Sequence, residues 1–458
     1  MTDVVNKLWD FCNYLRHDGI TYGDYIEQLT YLLFLKMVQE KDITMPKGCS
    51  WNDLIQYSGS ELLEGYSKML LTLAKEKGML GDIFAQSLSR FNNPINLKKL
   101  LNLINEIEWT SLDVDIKAAA YEGLLEKYAA EEKGAGQYFT PRVVIRSIVK
   151  CIRPDFRRSP DYTVHDPACG TGGFLIGAFE WIMKETDNGS KLTVKDRERL
   201  VKNTFSGMDN VQNTRRLALM NCYLHELETT IYYGDSLGEG PHVGKRYNVI
   251  LTNPPFGTRG AGGAPSRDDF LVTTSNKQLN FVQHAMTLLK IGGQAAIVVP
   301  DNVLFDNSGR EVRENLMKAC NLHTVLRLPE GTFSPYSPGV KANIIFFTKG
   351  QVTEEIWVYD LRTNIENINK GNPLNNELFE DFEQCYNKVP RIENERFKRF
   401  RKESIEKRNY DLDLFWIKDI LSSDYSNVAD PKDLICQAIS YAESVLNSLN
   451  KLSAEIEK

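Results

Sequence analysis

The amino-acid sequence predicts an α/β protein. Its centre is a doubly wound, mostly parallel sheet of seven strands, with an all-helical domain before it and a helical extension after it. Up to about residue 128, few Pro or Gly interrupt the chain, and apolar residues such as Leu29, Leu33 and Met37 recur at helical spacing. From Tyr162 onward, short β-branched or aromatic runs alternate with helical patterns, an order typical of parallel sheets with helices on both faces.

Seven runs have the composition of β-strands. They span residues 162–165, 204–208, 230–233, 248–252, 294–299, 323–328 and 343–348. Helical patterns cover 174–184, after the first run, and 310–318, after the fifth. A short connection joins the last two runs, which allows the final strand to run antiparallel.

The changes of pattern divide the chain into three predicted domains, at residues 1–128, 129–365 and 366–458. In the third, Asp430 and Pro431 form a helix cap followed by a first-turn proline. Apolar residues then recur at alternating steps of three and four, at 435, 438, 442, 445, 449, 452 and 456. This coiled-coil-like helix at 430–458 either folds back on its own domain or docks with a helix of another subunit.

The composition excludes several classes of protein. Lys and Arg number 55 against 61 Asp and Glu, a net charge of −6, unlike a free-standing nucleic-acid binder with a broad basic face. The eight cysteines form no CxxC pair, so neither a zinc ribbon nor a disulfide framework is indicated. No apolar run reaches the roughly 18 residues of a membrane span. The start, MTDVVNKLWD, lacks the pattern of a secretory signal, so we expect a cytoplasmic protein.

One segment departs from this acidic balance. Residues 388–408 hold nine basic and four acidic side chains. Such runs are commonly the solvated face of a helix. Contact with phosphates is the alternative, and the aromatic residues Phe397 and Phe400 keep it open.

A glycine-rich turn follows the first predicted strand. Its sequence, DPACGTGGFL from Asp166 to Leu175, stands between a strand and a helix. Glycines there let the backbone turn sharply and bring amide groups against a ligand at a helix N-terminus. The spacing is not the dinucleotide pattern GxGxxG. Asp166 either pairs with a cationic group or caps the next helix.

Acidic residues follow the second and third predicted strands. Asp209 lies 43 residues after Asp166 (209 minus 166). Acids at this place in such sheets accept hydrogen bonds from ribose hydroxyls, and Asp209 can also act as a helix N-cap. Asp235 is placed either to reach the amino group of a purine ring or to cap a turn.

The sharpest signal is Asn253-Pro254-Pro255-Phe256, directly after the fourth predicted strand. Two prolines fix the backbone and cannot donate, so carbonyl oxygens are left to point into a cleft at the carboxyl edge of the sheet. The side-chain oxygen of Asn253 beside such a carbonyl provides two acceptors for one NH₂ group. Phe256 offers a face on which a flat base can stack. A rigid turn alone would explain an Asn-Pro pair, but the position after a glycine-rich turn favours a catalytic site.

These motifs resemble those of the S-adenosylmethionine-dependent amino-methyltransferases of DNA. DPACGTGGFL is similar to their cofactor motif, NPPF to their catalytic motif, and GQYFTPR at 136–142 to their upstream cofactor-contacting motif, in the gamma order. More narrowly, the helical front, GQYFTPR, residues 294–305 and WVYDLR at 357–362 resemble the modification (M) subunit of type I restriction–modification systems. The resemblance covers most of residues 10–365 and is loose thereafter.

The resemblance implies a class I, Rossmann-like methyltransferase fold, S-adenosyl-L-methionine as cofactor and the 6-amino group of a flipped adenine in double-stranded DNA as target. It assigns catalysis to Asn253, Pro254, Pro255 and Phe256. It assigns cofactor binding to Gln137, Tyr138, Phe139, Thr140, Pro141, Arg142, Asp166, Ala168, Gly170, Thr171, Gly172, Gly173, Asp209 and Asp235.

The resemblance also implies partners. Members of that family read their DNA target through a separate specificity (S) subunit, which we therefore expect. Further expected partners are a second copy of this chain in an M2S1 complex and, optionally, a restriction (R) nuclease-translocase subunit. No membrane partner is expected.

The stretch 257–269 is rich in glycine with few apolar anchors, which predicts a mobile loop that orders over DNA, with Arg259 and Arg267 meeting phosphates. The histidines at 165, 225, 242, 284 and 323 show no metal-ligand spacing, so no metal is predicted. His165, at a strand end, is more often a core residue than a ligand.

Two alternatives remain open. NPPF-like motifs also occur in enzymes that methylate glutamine side chains or RNA amines, so the acceptor can differ. The chain can also be a non-catalytic scaffold that helps another subunit bind DNA, although the intact NPPF argues against it. A nicotinamide oxidoreductase is disfavoured because the GxGxxG spacing is missing.

Overall fold

The computed structural model describes residues 20, 22–109, 140–240, 242–257, 263–265, 267–333, 340–369 and 371–418. Of these, the residues up to 361 and 366–415 form one compact unit, and 362–365 with 416–418 belong to a second. Within the described ranges, no helix has the length and apolar character needed to cross a membrane. The predicted tail helix at 430–458 lies outside them.

The N-terminal region is helical, as predicted. The described part of residues 20–109 holds α1 Tyr22–Glu40, α2 Trp51–Gln56, α3 Gly59–Leu73, α4 Met79–Phe84 and α5 Pro94–Asn105. Local signals set the helix starts: Ser50 and Asp53 form a reciprocal capping box before α2, and Asn93 caps α5. The fully buried Phe34 and Tyr66 belong to the core of this helical domain.

The centre of the molecule is a mixed sheet. Its order is β3-β2-β1-β4-β5-β7-β6-β8-β9. The strands are β1 Val164–Asp166, β2 Phe205–Asp209, β3 Thr230–Tyr233, β4 Tyr247–Thr252, β5 Leu289–Pro300, β6 Cys320–Arg327, β7 Ala342–Lys349, β8 Glu355–Asp360 and β9 Phe397–Arg401. Strands β1 to β5 pair in parallel, and β7 runs antiparallel to β5 and β6. All seven predicted strands are present: β3 has the predicted ends, and the other six differ at one or both ends. The antiparallel course of the last predicted strand, β7, is confirmed.

The prediction of seven strands misses two. β8 pairs in parallel with β6, and β9 pairs antiparallel with β8. β9 lies inside the basic segment 388–408, so the interpretation of that segment as a helix face is wrong for this part. The buried ring of Phe397 anchors the strand, 4.8 Å from the ring of Trp357. The exposed Arg399 and Arg401 lie at the sheet edge, where charges discourage further strand pairing.

Helices cover the sheet. They are α6 Arg142–Ile152, α7 Gly173–Glu185, α8 Val194–Asn203, α9 Gln212–Leu224, α10 Lys277–Leu288, α11 Asp301–Phe305, α12 Arg310–Ala319, α13 Glu377–Asn387 and α14 Lys402–Lys407, with 3-10 helices at Phe156–Arg158 and Asn307–Gly309. β4 is almost wholly buried, as expected for a strand covered on both faces. Because β1 lies between β2 and β4 in this order, the carboxyl ends of β1, β2 and β4 line one crevice.

Candidate active site

The candidate site lies where neighbouring parallel strands end. In the sheet, β1 stands between β2 and β4, with Asp166 opposite Gly207 and His165 opposite Ile250. The carboxyl ends of adjacent parallel strands meet at one edge. The glycine-rich turn after β1, the acid at the end of β2 and Asn253 after β4 therefore reach the same edge.

Two glycines with left-handed backbone shape the turn after β1. Gly170 and Gly172 have φ angles of 54° and 82°, which residues with a Cβ rarely adopt. A Cβ on Gly172 would also lie 3.3 Å from Cys222 Sγ in α9. Gly172 precedes α7, whose first residue is Gly173. The turn therefore leads into a helix N-terminus, which favours electron-rich groups of a ligand.

Two carboxylates, the buried Asp166 and the half-buried Asp209, hold this turn. Asp166 Oδ1 accepts from the Ala168 amide at 3.0 Å, and Asp209 Oδ2 accepts from the Gly170 amide at 3.2 Å. Asp209 Oδ1 accepts from the Val211 amide at 2.8 Å, which forms an Asx turn. The N-cap residue of α9 is Val211, without a side-chain cap, so the prediction of Asp209 as the N-cap is wrong. Burial raises the pKa of Asp166 to about 7 and that of Asp209 to about 6. Each oxygen keeps a lone pair for a further donor.

The loop after β3 is tied to the glycine-rich turn. Asp235 Oδ1 accepts from the Leu237 amide at 3.0 Å, which forms an Asx turn. The next residue, Ser236, is buried and its hydroxyl donates to the carbonyl of Pro167. The loops after β1 and β3 therefore hold each other in place.

Asn253 makes the most informative contact. Its side chain is buried, and Nδ2 donates to Thr140 Oγ1 at 2.9 Å. Its Oδ1 is also buried and has no hydrogen-bond partner among the described residues. A buried acceptor without a partner costs about 1–3 kcal/mol. One end of the amide is thus held by the protein, and the other end is left for a donor.

Thr140 brings the upstream motif to this point. Of residues 136–142, the structure describes Thr140, Pro141 and Arg142, while Gln137, Tyr138 and Phe139 lie outside the described residues. Pro141 precedes α6 and Arg142 begins it. The hydrogen bond from Asn253 joins residues 113 positions apart in the chain, a contact that no local pattern contains.

Phe256 lies against a second aromatic ring. It is half-buried, and its ring meets Phe333 edge to face, with centroids 6.4 Å apart and planes at 82°. Phe333 is 1% exposed and forms a fixed wall behind Phe256. Sequence reasoning missed Phe333 because it lies in the connection between β6 and β7, without a strand or helix pattern. It also missed Ser236 and Asn221, whose contacts join distant segments.

The structure contradicts the expected role of Arg267. Its side chain is 1% exposed and forms a forked ion pair with Asp269, at 2.7 and 2.8 Å. It also donates to the carbonyls of Ser236 and Gly238 at 3.2 and 3.3 Å. A guanidinium engaged inside the protein in this way does not reach a phosphate. Arg259 lies outside the described residues, so its DNA contact and the mobile loop remain predictions.

His165 is a core residue, as the sequence favoured. It is 1% exposed and stacks on Tyr247 with ring centroids 4.2 Å apart. Burial lowers its pKa to about 3, so the ring is neutral. Its Nδ1 lies 2.9 Å from the Ser206 hydroxyl.

Family models match nearly the whole chain. One described as N-6 DNA Methylase matches residues 112–417, and one described as HsdM N-terminal domain matches residues 4–106. The first spans more than half of the 458 residues. The chain therefore belongs to the N-6 DNA methylase family.

Individual relatives narrow the class. The methylase subunit of the type I restriction enzyme StySPI from Salmonella potsdam is 37% identical, over 99% of this chain and 95% of its own length. The crystal structure of the M protein of the type I restriction enzyme EcoKI matches over 100% of this chain and 96% of that one, with 32% identity and a TM-score of 0.58.

A chain from a structure on complex assembly and conformational transition of the type I restriction–modification system matches with a TM-score of 0.70 and 28% identity. That match covers 99% of this chain and 98% of the other. Within its family, this chain thus belongs with the methylase subunits of type I restriction enzymes, and it is an adenine-specific DNA-methyltransferase.

Proposed function

We propose that this chain transfers the methyl group of S-adenosyl-L-methionine to the 6-amino group of an adenine flipped out of double-stranded DNA, as the methylating subunit of a type I restriction–modification complex. Family membership supports the class of acceptor. The observation that carries the chemistry is the buried Oδ1 of Asn253, which lacks a partner among the described residues while Nδ2 is held by Thr140.

The crevice residues suit this cofactor. The turn after β1 leads into the N-terminus of α7, which favours binding of the cofactor's carboxylate. An ionised Asp166 can pair with the ligand's ammonium group, Asp209 can accept from ribose hydroxyls, and Asp235 can accept from the amino group of its purine. The oxygens described above that bind backbone amides keep lone pairs for these contacts. When bound, the cofactor supplies an electrophilic methyl group on a sulfonium.

Asn253 and Pro254 would hold the acceptor nitrogen. The Oδ1 of Asn253 and the main-chain carbonyl of Pro254 would accept the two hydrogens of the adenine amino group, which leaves its lone pair free for the methyl group. The hydrogen bond to Thr140 and the two proline rings orient these acceptors before the base arrives. Positioning and fixed dipoles then supply most of the catalysis. No strong base is needed, because the nitrogen becomes acidic once it is alkylated.

Phe256 would stabilise the flipped base. Taking an adenine out of a duplex costs a few kcal/mol in stacking and pairing. Stacking of a base on an aromatic side chain contributes about 1–3 kcal/mol. The edge-to-face contact with Phe333 restricts the Phe256 ring, so its face is already oriented.

A specificity subunit would supply the recognition of the DNA sequence. The chain itself has a net charge of −6, which offers no broad basic face for DNA. A second copy of the chain in an M2S1 complex and a restriction subunit are the further partners that we propose, by analogy with type I assemblies.

Transfer of a labelled methyl group tests the acceptor. The purified chain, with and without its specificity subunit, is incubated with labelled S-adenosyl-L-methionine and either duplex DNA, RNA or protein. We expect label in adenine of duplex DNA, and only when both subunits are present. Label in protein glutamine or RNA but never in duplex DNA would refute the proposal, as would DNA binding by the complex without any transfer.

A further inference from the structure

Helix α9 contacts two different parts of the molecule. An α-helix has about 3.6 residues per turn, so residues three, four or seven apart share a face. Arg216 and Tyr223 lie on one face of α9, and Ala218, Asn221 and Cys222 lie on another. The first face contacts the helical domain, and the second contacts the glycine-rich turn.

The glycine-rich turn rests on the second face. Asn221 is 6% exposed, and its Nδ2 donates to the carbonyl of Thr171 at 3.1 Å. Gly172 approaches α9 so closely that a Cβ there would lie 3.3 Å from Cys222 Sγ and 3.7 Å from Ala218 Cβ. The conformation of the turn therefore depends on where α9 lies.

The helical domain contacts the opposite face of α9. Arg216 is 4% exposed and forms an ion pair with Glu27 of α1. A second guanidinium nitrogen donates to the carbonyl of Ala85, just after α4, at 2.9 Å. About two turns further along α9, the ring of Tyr223 lies 5.3 Å from that of Phe34 in α1. A buried charge that loses its partner is strongly unfavourable, so this contact sets the position of α9.

We propose that α9 couples the helical domain to the cofactor site, with Arg216 and Asn221 as positioning residues for the glycine-rich turn. This inference rests on the proposed function, because it assigns the turn to the cofactor. Coupling between two sites is reciprocal. Docking of α1 on α9 raises the affinity for the cofactor, and binding of the cofactor stabilises the docked α1.

Gln28 provides a matched control. It neighbours Glu27 in α1 and is fully buried. Its side chain donates to the Leu88 carbonyl at 2.9 Å and accepts from the Tyr66 hydroxyl at 3.2 Å. These contacts lie within the helical domain. The substitution Gln28→Met therefore destabilises the helical domain without removing a contact to α9.

The affinity of the full chain for S-adenosylhomocysteine tests the coupling. We expect Glu27→Gln, Arg216→Met and Asn221→Ala to weaken binding roughly tenfold. Gln28→Met should lower the melting temperature about as much as these three substitutions do, but should leave the affinity for S-adenosylhomocysteine within about twofold. Arg216→Lys keeps the charge and should recover part of the affinity. Unchanged binding in Arg216→Met, or an equal loss in Gln28→Met, would overturn the inference.

Hydrogen exchange in the unmodified chain gives a test that needs no variant. Reciprocity predicts that saturating S-adenosylhomocysteine slows amide exchange in α1. Equal exchange in α1 with and without bound ligand would overturn the coupling and leave the proposed function standing. If the unmodified chain does not bind this ligand at all, the proposed function fails together with the coupling.

Discussion

The loops after β1 and β4 build one crevice from opposite kinds of backbone. The turn after β1 has the left-handed Gly172 and leads into the N-terminus of a helix, where the first backbone amides have no acceptor within the helix. The loop after β4 has two prolines, which cannot donate, and so presents acceptors. The first loop is held from outside, through Asp209 and α9, whereas the second is stiff in itself and needs one bond, from Asn253 to Thr140. Loop composition thus separates the donors from the acceptors at one sheet edge.

The largest effect is expected in the stiff loop, at Asn253. Asn253→Ala removes the acceptor that faces the incoming amino group, so methylation should fall by about 10²- to 10³-fold or more. Cofactor affinity should stay within about twofold, because the glycine-rich turn is untouched. Methyl transfer and calorimetric titration on the same preparation measure the two effects. Methylation close to that of the unmodified enzyme would contradict the assigned role of Asn253.

In the glycine-rich turn, a substitution is expected to act on cofactor binding, which the change at Asn253 leaves nearly unaltered. Gly172→Ala puts a Cβ on a residue with φ of 82°, 3.3 Å from Cys222 Sγ, and should weaken cofactor binding by about tenfold or more. Gly244→Ala is the control, because Gly244 has φ of 86° with open space around it. Both variants carry the backbone penalty, so both should lose thermal stability. If Gly244→Ala weakens cofactor binding as much as Gly172→Ala, general destabilisation explains the effect.

At Phe256, a smaller loss of methylation is expected than at Asn253. Phe256→Ala removes the stacking face, worth about 1–3 kcal/mol, so DNA methylation should fall by roughly 10- to 100-fold. Phe256→Tyr keeps the ring and should retain most of the activity. The fluorescence of 2-aminopurine at the target position reports extrusion of the base. Equal fluorescence in Phe256→Ala and the unmodified enzyme would show that the ring does not hold the base.

The smallest effect is expected from pH. The carboxyl groups of Asp166 and Asp209, with pKa values of about 7 and 6, lie above the ordinary 3.8 because burial disfavours their charge. Their contribution to the stability of the unliganded protein is therefore full below pH 3.8 and is lost as pH rises through 6 to 7. A cationic ligand favours the ionised forms, so cofactor affinity should rise over the same interval.

Calorimetry from about pH 5.5 to about pH 7.5 measures this rise, which reaches at most about tenfold per pH unit for each proton released. Asp209→Asn should remove the step near pH 6. A cofactor affinity that does not change over this interval would show that neither carboxylate ionises on binding.

Local sequence patterns predicted seven strands of the sheet but not β8 and β9, which lie at one end of the strand order. The seven predicted strands are short apolar runs between turns, and such runs are local. β9 was hidden in a basic segment, because its burial depends on Phe397 packing against Trp357, forty residues earlier. Arg267 was misjudged for a related reason: its carbonyl acceptors at Ser236 and Gly238 come from another loop.

The candidate site shows the same division. DPACGTGGFL and NPPF could be found in the sequence, since the need for glycine at a left-handed turn and for proline in a stiff loop is a property of single residues. Asn221 and Phe333 could not be found, because their contacts with Thr171 and Phe256 join segments that only folding brings together.

By itself, the sequence determined the helical front, the alternating strands and helices, and the chemical character of the two loops, because backbone preference and hydrophobic periodicity act over a few residues. Only the tertiary structure decided which groups have partners. It left Asn253 Oδ1 without a partner among the described residues, engaged Arg267 inside the protein and placed α9 between the helical domain and the glycine-rich turn. Burial and hydrogen bonding depend on atoms from distant parts of the chain, and no local pattern records them.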